Sequence, residues 1–141
     1  MTAMDYIKSL DKDDFYIDKC KKKIERLETL AENRSSKPFD NDRIQSSGSK
    51  DRIGDISVRI VEEKGKLARL IARSEEKREY LERQIDVIDD LEQQKILYYR
   101  HITKMRYEDI GDMLDKSPQT IQNKHSKAMK ELVRVFVIPQ K

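Results

Sequence analysis

Apolar positions recur at three- and four-residue spacing along most of the chain, which predicts an all-α protein. Met4, Ile7 and Leu10 suggest a short opening helix. After the acidic cluster Asp11, Asp13 and Asp14, the residues Ile17, Cys20, Ile24, Leu27 and Ala31 form a narrow apolar seam that needs a partner helix. The stretch from Asn33 to Lys50 breaks the pattern: Pro38, Gly48 and five serines make it a flexible connector. From Asp51 to Gln93 helical spacing returns through Ile53, Ile56, Ile60, Leu67, Leu70, Ile71, Leu81, Ile85, Ile88 and Leu91. About 40 residues at 1.5 Å each would give an arm roughly 60 Å long. Ser74 and Lys77 interrupt that seam and mark either partial exposure or a position that fixes pairing register. Ile17 to Ala31 of the same chain or a second copy can satisfy it, and the pattern leaves both open.

The last third is patterned differently. Ile96, Leu97, Tyr98, Tyr99 and Ile102 form a dense apolar patch, expected as a supporting helix, with a bend at Thr103-Lys104-Met105. Tyr107 to Leu114 then reads as a short helix, in which Gly111 would allow a close helix crossing. Proline drives the residue before it out of the α region, so Ser117-Pro118 is a helix start with serine as cap. On a wheel of about 100° per residue, Ile121, Ala128, Met129, Leu132, Val133, Val135 and Phe136 share one arc of the final helix. Gln119, Thr120, Asn123, Lys124, Ser126, Lys127, Lys130 and Arg134 take the other side, with no acid among them. His125 falls in the apolar arc, as a packed histidine does.

The pattern therefore divides the chain into a helical hairpin or coiled-coil arm over 1–93, with a flexible loop at 34–50, and a helix-turn-helix module over 94–141. Composition agrees: 40% of residues are charged and 36% hydrophobic, the profile of long solvated helices. The net charge is only +3, but from Lys95 onward there are ten Lys/Arg against five Asp/Glu. Basicity concentrates on the module, as a nucleic-acid footprint requires. The basic run at Lys19, Lys21, Lys22, Lys23 and Arg26 reads as a solvated face.

Little else suggests chemistry. Cys20 is the only cysteine and stands in register with the apolar seam, so it reads as a buried small residue. Two histidines and one cysteine supply too few ligands for a zinc site. Carboxylates alternate with basic residues at helical pairing distances, as in Glu75, Glu76, Arg78 and Glu79, which makes surface pairs rather than an acid–base dyad. The expectation is a protein that is not an enzyme and needs no cofactor or metal. No apolar run is long enough to span a membrane or form a secretory signal core, so an intracellular location is expected.

Within Arg100–Leu132, Tyr107, Glu108, Asp109, Ile110 and Gly111, followed by Ser117, Ile121, Ala128 and Leu132, resemble the promoter-reading helix-turn-helix of region four of bacterial sigma factors. The chain as a whole resembles the ArpU/RinA-type regulators of phages and prophages, with His125-Ser126-Lys127-Ala128 in the position of their histidine-small-basic-alanine sequence. The resemblance implies a phage-encoded activator of late genes in the bacterial cytoplasm or nucleoid, with double-stranded DNA and host RNA polymerase as partners. Pro118 and Gln119 replace charged base-reading residues of sigma factors, so the DNA sequence read does not carry over. On this reading Gln119, Thr120, Gln122 and Asn123 face bases, while Ser117, Lys124, Lys127, Lys130 and Arg134 hold phosphates. The competing reading is an RNA polymerase-binding coiled-coil adaptor with little DNA specificity. Paired half-sites favour a homodimer through the long helix.

Overall fold

A computed structural model describes the backbone over 1–36 and 47–139, and side chains over 1–33 and 54–139. The protein is all-α, and no strand occurs among the described residues. Among the described residues five α-helices follow in order: α1 (Ala3–Ser36), α2 (Ser47–Asp86), α3 (Leu91–Leu97), α4 (Tyr107–Leu114) and α5 (Pro118–Val135). A π-helical turn, Tyr98–Ile102, extends α3. Of the expected connector, 34–36 belong to α1 and 47–50 to α2, while 37–46 lie outside the described residues.

The opening helix is longer than the pattern implied, because a cap and a continuous seam both favour it. Thr2 and Asp5 form a reciprocal capping box: Asp5 N–H donates to Thr2 Oγ1 at 3.2 Å, and Thr2 N–H donates to Asp5 Oδ2 at 2.9 Å. The acidic cluster does not break the helix. Asp13 is buried and takes a hydrogen bond from Arg73 at 3.0 Å.

The described residues fall into two compact units. In the unit from Asp13 to Arg73, α1 and α2 run antiparallel. Cys20, Ile24, Leu27 and Ile56 are buried, and Lys23–Glu63 (3.6 Å) and Lys64–Glu28 (3.3 Å) flank them. The seam of Ile17–Ala31 is thus covered by α2 of the same chain. Ile71 departs from the expected seam and is 44% exposed.

The other unit joins the first twelve residues to the described residues from Ser74 onward. Ala3, Tyr6, Ile7 and Leu10 pack with Leu81, Ile85, Ile88, Leu97, Ile102, Ala128, Met129 and Leu132. Tyr6, Tyr80 and Phe136 form an aromatic triad at this core, with ring centroids 5.4–6.0 Å apart. Within this unit the final helix is therefore seated on the first turns of α1 and the last turns of α2. A second, smaller core of Ile96, Ile110 and Ile121 ties α3, α4 and α5 together.

Two features of this unit were outside the reach of periodicity. The long helix stops at Asp86, and residues 87–90 turn the chain before Asp90 caps α3 through Gln93 N–H at 3.0 Å. That break lets Ile88 enter the core and leaves Leu91 62% exposed. Ser74 interrupts the seam yet is buried: its hydroxyl meets Arg78 Nη2 at 3.1 Å, and Arg78 Nη1 donates to Ile102 O at 3.2 Å. The polar gap in the stripe is where α2 is pinned to the backbone of the π-helical turn. No helix among the described residues is long and apolar enough to cross a membrane.

Candidate nucleic-acid interface

The geometry of the α4–α5 corner follows from three residues. Asp115 ends α4 in the left-handed conformation (φ 57°, ψ 49°), and Lys116 N–H donates back to Gly111 O at 2.9 Å. A Cβ on Gly111 would lie 2.4 Å from Lys116 O. Glycine is thus needed for the backbone of the turn, rather than for a helix crossing. Ser117 then caps α5, accepting Thr120 N–H at 3.1 Å, with Pro118 in the first turn. Ile121 is fully buried beneath the corner.

This corner aims α5 outward. Gln119, Gln122, Asn123, Ser126, Lys127, Lys130 and Arg134 are exposed, while Ala128, Met129 and Leu132 are buried. Gln119 Nε2 donates to Asn123 Oδ1 at 3.2 Å, so the two amides form one polar strip along adjacent turns. Thr120 is half-buried, and its hydroxyl is 2.8 Å from Ser117 Oγ. Ser117 and Thr120 therefore hold the helix start as well as edging the surface. Val133, placed by its spacing in the apolar arc, is 49% exposed; Met113 of α4 is 55% exposed.

The cations differ among themselves. Lys127 and Lys130 form no ion pair among the described residues. Arg134 pairs with Glu131 one turn back. Lys124 is half-buried, with Nζ 2.9 Å from Glu92 Oε1, and Lys116 Nζ lies 3.8 Å from Glu92 Oε2. α5 itself carries Glu131 beside Arg134 on this side, and α3 brings Glu92 to Lys124. Sequence reasoning had no signal for this, since Glu92 and Lys124 are 32 residues apart on different helices.

Beneath the outward face lies a small aromatic cluster. His101 Nε2 and His125 Nε2 are 2.8 Å apart, and His125 Nδ1 is 3.3 Å from the Tyr107 hydroxyl. Arg100 stacks on Tyr107 at 4.1 Å from the ring centroid and donates to Met105 O at 3.1 Å. Burial, the other imidazole, and the cations Lys104 and Arg100 push the His101 pKa down to about 3. Burial and Arg100 lower that of His125 as well. Two imidazolium rings would both be donors at Nε2 and could not share this bond. The pair thus holds the π-helical turn, α4 and α5 together in its neutral form. The spacing that put His125 on the packed side of α5 agrees with this place. Its partner, His101, was invisible to it.

Nothing among the described residues gathers three or more side chains able to hold a metal ion. Cys20 is buried, far along the chain from this surface, and its thiol pKa is raised by burial and by Glu63. No curated protein and no solved structure matches the chain. The model of the family DUF1492, described as proteins of unknown function, matches residues 33–133, and the chain belongs to that family.

Proposed function

We propose that the chain is a sequence-specific DNA-binding transcription regulator that inserts the N-terminal half of α5 into the major groove. One observation carries the reading: α5 buries Ile121, Ala128, Met129 and Leu132 on one side and presents exposed amides and lysines on the other. Gln119, Gln122 and Asn123 offer paired donors and acceptors at the end of the helix that enters a groove first, the chemistry suited to adenine edges. Thr120 flanks them. Lys127 and Lys130 follow one and two turns later, where phosphates run beside the groove, with Lys124, Arg134 and Ser117 at its edges. The sigma-like pattern of Tyr107–Gly111 and the resemblance to ArpU/RinA-type regulators support a phage or prophage activator of late genes, working in the bacterial cytoplasm. A second copy joined through the long helix would match paired half-sites, and the exposed Val58 and Val61 on α2 are where such a contact would start.

The test is selection of bound sequences from a random duplex pool, followed by binding titrations in salt. Two to four phosphate contacts give a slope of log K against log salt of about −2 to −4. Asn123→Ala costs about 1–3 kcal/mol on the selected site and flattens sequence preference, whereas Lys127→Ala weakens all duplexes alike. A pool that returns no enriched sequence, together with Asn123→Ala binding like the native chain, would refute the reading.

One observation favours an RNA polymerase-binding adaptor as the second reading: Lys124 and Arg134 already have carboxylate partners, which thins the cationic face. An adaptor would retain polymerase by pull-down in the presence of nuclease and show no enriched duplex.

A further inference from the structure

Two lysines at the start of the outward face converge on one carboxylate. Lys124 comes from the second turn of α5 and Lys116 from the α4–α5 turn, and their ammonium groups take the two oxygens of Glu92 at 2.9 and 3.8 Å. Each of the three side chains is between 34% and 39% exposed, so the cluster is open to an incoming anion. Its place is fixed by the Ile96–Ile110–Ile121 core, which holds α3 against α4 and α5. Two cations aimed at the two oxygens of one anion form a cradle that a phosphodiester fits as well as a carboxylate.

We propose that Glu92 is a built-in competitor for the DNA backbone: in the free protein it fills the position between Lys116 and Lys124 that a phosphate takes in the complex. The inference rests on the DNA-binding reading above and specifies how that same surface is tuned. Partly exposed ion pairs are weak, so the lysines can exchange one anion for the other. The exchange leaves a mark on the ionic balance. A lysine that neutralises a phosphate releases a condensed cation from DNA, but here it also leaves Glu92 bare beside the duplex. The carboxylate then gathers a cation of its own, so the net release falls by about one ion.

Glu92→Gln keeps the shape and the acceptor oxygen and removes only the charge. On a random-sequence duplex at about 0.1 M potassium chloride it is expected to bind roughly three- to tenfold tighter, with the salt slope steeper by about one. The gain shrinks when Lys124→Ala is added, because the two changes act through one contact. A second measurement needs no DNA: in the native chain Lys124 acylates more slowly than Lys127, and Glu92→Gln removes that protection. If the native chain binds duplex but Glu92→Gln, folded by circular dichroism, has the same or weaker affinity and an unchanged slope, the competitor role is overturned while the DNA reading stands. If neither protein binds any duplex at low salt, both are overturned. Equal acylation of Lys124 and Lys127 in the native chain also overturns the competitor role.

Discussion

The neutral histidine pair makes the stability of the C-terminal unit depend on pH in a window where few other groups titrate. His101 has a folded-state pKa of about 3 against an unfolded value near 6.5. The unfolded chain therefore binds a proton that the folded chain refuses once the pH falls below about 6.5. The stabilisation is complete above that value, declines steadily as the pH falls, and is spent near pH 3. Between pH 7 and pH 5, linkage gives a loss of about 2 kcal/mol from this ring alone. The lowered pKa of His125 adds to it with the same sign. A loss of that size is a large share of the 5–15 kcal/mol typical of a folded domain. Stopping at pH 5 keeps most carboxylates ionised, and His101 and His125 are the only histidines in the chain. The assay is urea unfolding followed by circular dichroism at pH 7 and pH 5, on the native chain and on the double variant His101→Gln/His125→Gln. The native chain is expected to lose about 2 kcal/mol or more and the variant less than half of that. Equal losses, or a His101 titration by NMR centred near 6.5, would remove the pair as the source of the dependence.

Three further outcomes follow from local geometry. Gly111→Ala must push the Lys116 carbonyl aside, at a cost of about 1–3 kcal/mol that exceeds the gain in helix propensity, so its unfolding midpoint falls below that of the native chain. Ser117→Ala removes the α5 cap and costs about 1 kcal/mol by the same assay, whereas Ser117→Asp retains most of the stability. Cys20, buried with its thiol pKa raised, is expected to react with an aromatic disulfide reagent far more slowly in the folded chain than in urea; a rate equal to that of a free thiol would contradict its placement.

Periodicity, caps and turn chemistry are local, and what depends on them was legible in the sequence. The seam at Cys20, Ile24 and Leu27 was one such reading, and the Ser117-Pro118 start of α5 another. The two faces of α5 also follow from spacing alone, because a helix turns about 100° per residue whatever it packs against. The same rule put His125 on the packed side. Spacing says which face of a helix is apolar, but not which distant residue will meet it.

Only the tertiary structure decided the rest. The helix break at 87–90, which turns Ile88 inward and Leu91 outward, lies inside one unbroken apolar rhythm. Ser74 looked like a gap in the seam and is instead a buried anchor for Arg78, because the acceptor of Arg78 is a carbonyl 24 residues away. Gly111 was marked as a place of close approach, yet only in the folded chain does Lys116 O emerge as what approaches it. Glu92 reaches Lys124, and His101 reaches His125, across 32 and 24 residues of sequence respectively. Those meetings arise from the way three short helices share the core of Ile96, Ile110 and Ile121, and a one-dimensional pattern does not encode that arrangement.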